Sequence, residues 1–176
     1  MVNLMTRKET TKFLSDLLIR DRFSGMGKYW AREVTLNYGS EDVKRVDFMQ
    51  FKPPSTYSVS GIEKGEFICY EVKSCMEDYK SGHGQNFIGE KNYFVMPMSL
   101  YKSVVKTLAY NIGVMVPLPV SKGWYDEKDL YVELENPTEL DPNIEWKLRI
   151  IKPAHPQNRK YSLSELLFCM LRSGQG

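Results

Sequence analysis

The chain has 176 residues, 42% of them hydrophobic and 26% charged, with a net charge of +2 and an isoelectric point near 8.3. That size suits one domain spanning residues 1–176 with its own core, and the composition excludes a disordered or fibrous chain. No apolar run approaches the roughly 20 residues of a membrane span, and so mild a charge permits a nucleic-acid partner without arguing for one.

The stretch from Met1 to Lys8 turns polar at once and lacks the apolar core of a signal peptide. Cys69, Cys75 and Cys169 are an odd set with no Cys-x-x-Cys spacing and read as reduced thiols. The expectation is a cytoplasmic protein without a membrane segment.

In chain order, Thr6-Arg7-Lys8-Glu9 has the form of a capping box, and Phe13, Leu14, Leu17 and Leu18 then recur on one helical face. Ser24-Gly25-Met26-Gly27 breaks that pattern. Three strands are expected next, over Tyr29–Asn37, Lys44–Phe51 and Glu66–Ser74, forming an antiparallel meander. Ser81 to Gly89 is interrupted by glycine and has room for one or two helical turns. A strand over Tyr93–Met96, a helix capped by Ser99 with Leu100, Val104, Val105 and Leu108 inward, and a strand over Gly113–Pro117 predict a parallel crossover. Leu130–Leu134 and Trp146–Ile151 read as strands, and Ser162-Leu163-Ser164-Glu165 caps a closing helix. The fold class is α/β, with a core over about 6–117 and C-terminal strands and helix over about 118–176.

Acid-x-Lys occurs at Asp42-Lys44, Glu71-Lys73, Asp78-Lys80, Asp126-Lys128 and Glu145-Lys147, so the bare pattern carries little weight. Only Glu71 and Glu145 lie in strand-like runs. Alternation puts Phe67, Cys69, Glu71 and Lys73 on one face, and Arg45, Asp47, Met49 and Phe51 on one face of the preceding strand. If the two sheet faces are matched, Asp47 stands beside Glu71 across the ladder. Facing carboxylates repel unless a cation lies between them, which points to Mg²⁺ or Mn²⁺ held by Asp47, Glu71 and the main-chain carbonyl of Val72. Lys73 would orient or help deprotonate the attacking water and offset charge on a phosphate. The plainer reading is a salt bridge on a solvated sheet face.

Other chemistries find little support. There is no Gly-x-x-x-x-Gly-Lys-Ser/Thr loop, hence no expected nucleotide cofactor, and no Gly-x-Ser-x-Gly. Cys75, Glu77, Asp78 and His83 lack zinc-site spacing. His83, between two glycines, reads as a phosphate contact or as an ordinary loop histidine. Lys8, Lys12, Arg20, Arg22, Lys28 and Arg32 cluster early, Lys44, Arg45, Lys52 and Lys64 surround the meander, and Lys80 and Lys91 follow it. They form a DNA-backbone surface or a mixed solvated one, and Tyr57 is placed to stack on a base.

The layout resembles the PD-(D/E)XK nuclease core. The match runs from about Thr6 to Pro97, with a helix, a three-strand antiparallel meander, then a helix and a strand in a mixed sheet. Lys44-Arg45-Val46-Asp47, Tyr70-Glu71-Val72-Lys73-Ser74 and Glu77-Asp78-Tyr79 are similar to the MmcB-like branch of DNA-repair endonucleases. Val46 replaces the proline that names the superfamily. The resemblance implies a restriction-endonuclease-like fold and Mg²⁺-dependent DNA hydrolysis by metal-activated water, in DNA repair or in phage or mobile-element DNA processing. It also implies Glu33 as an accessory acid and Gln85 as a helical glutamine near the site, although each reads equally well as a surface group. Two alternatives stay open. One is an inactive copy of this fold used as a DNA-binding or protein-interaction module. The other is a site in the C-terminal part at Glu133, Glu135 and Glu145-x-Lys147, although prolines spoil its strands. Oligomeric state is open, a homodimer included.

Overall fold

A computed structural model describes residues 5–54, 58–120 and 127–174, so Tyr57 and Asp126 lie outside it. The first helix, α1 (Arg7–Leu18), starts on the expected capping box. The Thr6 hydroxyl accepts from the Glu9 amide at 3.3 Å, and the Thr6 amide donates to the Glu9 carboxylate at 2.7 Å. A single wide turn over Ile19–Phe23 extends it and delivers Phe23 onto Trp30, ring centroids 4.8 Å apart.

Six strands form one mixed sheet in sequence order: β1 (Tyr29–Leu36), β2 (Lys44–Lys52), β3 (Glu66–Val72), β4 (Lys91–Val95), β5 (Ile112–Pro119) and β6 (Trp146–Lys152). The first three make the expected antiparallel meander. β3, β4 and β5 then run parallel, and β6 returns antiparallel. Among the described residues there are six α-helices, the others being α2 (Val59–Ile62), α3 (Met76–Lys80), α4 (Met98–Val104), α5 (Glu127–Glu135) and α6 (Leu163–Ser173). The chain is therefore a mixed α/β fold. No helix among the described residues is long and apolar enough to cross a membrane.

Helices cover both sheet faces. Leu14 and Leu18 of α1 pack with Phe23 on Phe48, Ile68, Tyr70, Val72 and Tyr93. On the other face, Leu166, Cys169 and Met170 of α6 lie against Ala31, Met49, Phe67 and Cys69, while Leu100 and Val104 of α4 lie against Phe94, Val114 and Val116. A two-faced burial of this kind explains why β3 to β5 read as nearly continuous apolar runs.

Three expectations are corrected. Leu130–Leu134 is not a strand but part of α5. Leu130 and Leu134, four residues apart, both pack against the α4 core, while the carboxylate of buried Glu133 accepts from the Thr138 hydroxyl at 2.8 Å. That is a helical stripe, which a window of five residues does not separate from alternation. Pro97 rather than Ser99 occupies the N-cap of α4, its extended ψ of 150° ending the approach from β4. Simple alternation on β2 also fails, because Val46 as well as Met49 and Phe51 faces the α6 core.

Leu18 is fully buried between α1 and the sheet. Leu18→Ala is expected to lower unfolding free energy by about 2–5 kcal/mol, read from urea denaturation. A cost under about 1 kcal/mol would mean that α1 does not anchor this face.

Candidate functional site

The failed alternation on β2 positions the site. β1 and β2 pair on both sides of Glu33 and Asp47 (Arg32 with Phe48, Val34 with Val46), but those two residues are not themselves paired. Glu33 has φ of 52°, a left-handed backbone that few non-glycine residues adopt. Ala31 and Val34 both face the α6 core, as do Val46 and Met49, so the in–out alternation breaks on each strand here while the register on either side is unchanged. The pairing of β2 with β3 stops at Phe48 and Tyr70, although both strands continue. Past that pair the Val72 amide donates to the Asp47 carboxylate at 2.9 Å, so a side chain takes the place of a ladder carbonyl. In this register Glu33, Asp47 and Glu71 follow one another across β1, β2 and β3 at the mouth of the gap.

Glu71 and Lys73 share a face as expected. Both are nearly inaccessible, 6% and 2% exposed, and Lys73 Nζ donates to Glu71 Oε1 at 3.2 Å. The Lys73 amide bonds to the Val95 carbonyl, which fixes the residue one step beyond the end of β3. Its ammonium also donates to the His83 carbonyl at 2.5 Å and lies 4.0 Å from the Asp78 carboxylate. The other Glu71 oxygen, Oε2, is buried without a hydrogen-bond partner. Burial first, and the neighbouring Asp47 charge second, push the Glu71 carboxyl from an ordinary 4.5 up to about 8, against the pull of Lys73. Asp47 is raised as well, by burial and then by Glu33, with the Val72 amide opposing.

These groups line a cleft of about 770 Å³. One wall is the polar side of α1, with Arg7, Thr11 and Ser15 at helical spacing, and the other carries Arg32, Lys44 and Arg45 from the β1–β2 hairpin. Loop 82–86 closes the back, tied to β2 by the Asn86 amide on the Arg45 carbonyl at 2.8 Å. Gly84 has φ of +75°, and a Cβ there would lie 1.8 Å from Glu71 Oε1. Glycine at this position lets the loop lie directly on the carboxylate.

The structure thus brings Asp47, Glu71, Val72, Lys73 and Glu33 to one cleft. The Glu33 carboxylate turns aside to an ion pair with Arg45 at 3.0 Å. Gln85 is not in the cleft. Its amide donates to the Tyr79 carbonyl at the end of α3, which makes it a local cap and corrects the expectation of a site glutamine. The exposed His83 lines the cleft mouth. The C-terminal alternative does not assemble, because Glu133 is engaged on α5 and Glu145 and Lys147 are exposed.

Sequence reasoning gave Asp78 no role at the site beyond its place in the Glu77-Asp78-Tyr79 similarity. Its carboxylate accepts from the Ser74 amide and hydroxyl at 3.2 Å each and from Arg7 at 2.8 Å, linking α1, the end of β3 and the Lys73 ammonium. The available signal was its place four residues after Ser74.

An acid pair with one orphaned oxygen suits a hard divalent cation, which takes oxygen ligands. Asp47, Glu71 and the main-chain carbonyl of Val72 are the groups that would hold it. Among the described residues no cluster of three or more acidic, histidine or cysteine side chains forms a ready-made metal cage.

No family model matches the chain, and no curated protein matches it. A solved structure of a protein of unknown function from Silicibacter pomeroyi superposes with a TM-score of 0.54 at 14% identity, over 93% of this chain and 82% of that one. Likeness at that identity is one of fold alone.

Gly84→Ala combines a left-handed backbone with a Cβ inside the Glu71 carboxylate. It is expected to cost about 1–3 kcal/mol in denaturant unfolding and to displace Glu71 from Lys73. Unfolding free energy within about 0.5 kcal/mol of the parent would show that the loop does not press on the carboxylate.

Proposed function

We propose that the chain is a metal-dependent nuclease with a restriction-endonuclease-like core, hydrolysing DNA phosphodiester bonds at the Asp47–Glu71–Lys73 cleft. The observation that carries this reading is the Glu71 carboxylate, buried beside Lys73 and Asp47 with Oε2 unpartnered in an open, cation-rimmed cleft. A structural ion pair would satisfy both oxygens. Leaving one bare in the interior costs about 1–3 kcal/mol, a cost that a bound cation removes.

A bound Mg²⁺ or Mn²⁺ would supply Lewis acidity toward a phosphate ester and toward water. The chain's own residues do the rest. Lys73 has three N–H donors and commits two, to Glu71 and to the His83 carbonyl, so the third remains for a phosphoryl oxygen or for the attacking water. Because the ammonium is fixed by these bonds, little reorganisation is needed as charge develops. Arg7, Arg32, Lys44 and Arg45 on the two walls are placed to hold the flanking phosphates. The nearby Asp78 and the hydrogen-bonded His83 carbonyl are positioning groups for Lys73.

Purified protein with Mg²⁺ or Mn²⁺ should cleave single- or double-stranded DNA, and Glu71→Ala and Lys73→Ala should each lower the rate by about 100-fold or more. Cleavage that survives both substitutions would overturn the assignment. Salt-sensitive DNA binding without cleavage, indifferent to Mg²⁺ and to Glu71→Ala, would return the inactive binding module instead.

The raised Glu71 carboxyl sets a pH dependence. Below about 8 the group is neutral in the cation-free protein, and cation binding must expel its proton. Apparent Mn²⁺ affinity should therefore climb with pH by up to about tenfold per unit, level off above pH 8 and be accompanied by proton release in calorimetry. A flat profile from pH 6 to pH 8 would remove Glu71 from the ligand set.

A further inference from the structure

The two ends of α1 and its wide turn reach different cavities. Arg7 lines the cleft just described, and Arg22, about 22 Å further along at 1.5 Å per residue, lines a second cavity of about 290 Å³. Its floor is the α1-facing side of the sheet, including Gln50 and Tyr70, and its rim carries Lys28, Lys52, Lys91 and Glu66.

The charges there do not balance. Glu66 pairs with Lys91 at 3.1 Å and lies 4.0 Å from Lys52, one carboxylate shared by two ammonium groups. Arg22 and Lys28 have no acidic partner among the described residues. Arg22 is half-buried, and its Nε is closed off from solvent with no acceptor. The Tyr70 hydroxyl gives its proton to Gln50 Oε1 at 2.9 Å, which leaves the amide nitrogen of Gln50 facing the same cavity as a further donor. A half-buried guanidinium without a counter-charge is costly. Its planar fork matches the oxygens of a phosphate, and ammonium groups add point charges around it.

We propose that this cavity is a phosphate-binding site, separate from the Asp47–Glu71 cleft, in which Arg22 is the central ligand and Lys28, Lys52 and Lys91 form the cationic rim. The phosphate is carried either by a small phosphomonoester or by the backbone of a nucleic-acid strand, and one experiment separates these sources.

The Arg22 Nε–H resonance would be followed by ¹H–¹⁵N NMR, with divalent cations chelated so that the outcome does not depend on cleavage. The protein would be titrated with inorganic phosphate, with adenosine monophosphate and with an oligothymidylate lacking terminal phosphate. A saturable shift of Arg22 with any of these is the expected result. A response to the oligonucleotide at about tenfold lower concentration than to the small phosphates identifies a strand backbone, and the reverse order identifies a phosphomonoester. Arg22→Gln, followed instead by the backbone amide shifts around the cavity, should abolish binding. Lys28→Gln, at an exposed position that leaves the fold alone, should weaken it by about three- to tenfold. No shift of Arg22 at millimolar probe, or a shift reproduced by acetate at equal ionic strength, would overturn the proposal, as would unchanged affinity in Lys28→Gln.

Discussion

Everything at the cleft depends on one substituted hydrogen bond, the Val72 amide on the Asp47 carboxylate. A regular antiparallel ladder would have continued past Phe48 and Tyr70 and closed the sheet over this position. Instead the alternation breaks on β1 and β2 at Glu33 and Asp47, β2 parts from β3, and a carboxylate fills the vacated acceptor position. The backbone amide is satisfied, so the interruption costs little. Its consequence is an opening between strands that exposes Asp47 and the end of β3 to a cleft without disturbing the apolar layers on either side.

That opening explains why so polar a group of residues is tolerated beside the core. Lys73 is almost completely buried, yet its ammonium has a carboxylate, a carbonyl and a second carboxylate around it. Asp78 is held in turn by Ser74 and Arg7, so charge-assisted bonds tie α3 to α1 and β3 beside the apolar contact that already joins α1 to β3. The loop with Gly84 completes the enclosure by approaching closer than any side chain would permit. Low local dielectric then makes each of these interactions strong and makes the unpartnered Glu71 oxygen expensive.

How much of this was legible in the chain follows from what each signal measures. Helix caps are local chemistry, and the capping box at Thr6–Glu9 and the Ser162 hydroxyl cap on the Glu165 amide were readable because each needs only four residues. Strand alternation was readable at Glu71 and Lys73, where β3 is regular. It failed on β2 around Asp47, because the break in alternation opposite the left-handed Glu33 leaves no mark in residue type. It failed again at Leu130–Leu134, where apolar residues four apart on a helix also fall on an even spacing. Gln85 turns away from the cleft and Asp78 toward it for a reason the sequence does not carry. Whether a polar side chain turns to the site or to its own helix end is decided by tertiary geometry, and residue type does not encode it.

The two cavities differ in the kind of charge left unanswered, and that difference constrains what the molecule does. In the first, one oxygen of the buried Glu71 carboxyl has no donor, which suits a cation. In the second, the Arg22 Nε is buried without an acceptor among the described residues, which suits an anion. A fold that merely tolerated polar residues would scatter such deficits over its surface, where water removes the cost. Here they sit in concave sites at opposite ends of one helix, on residues drawn from several elements.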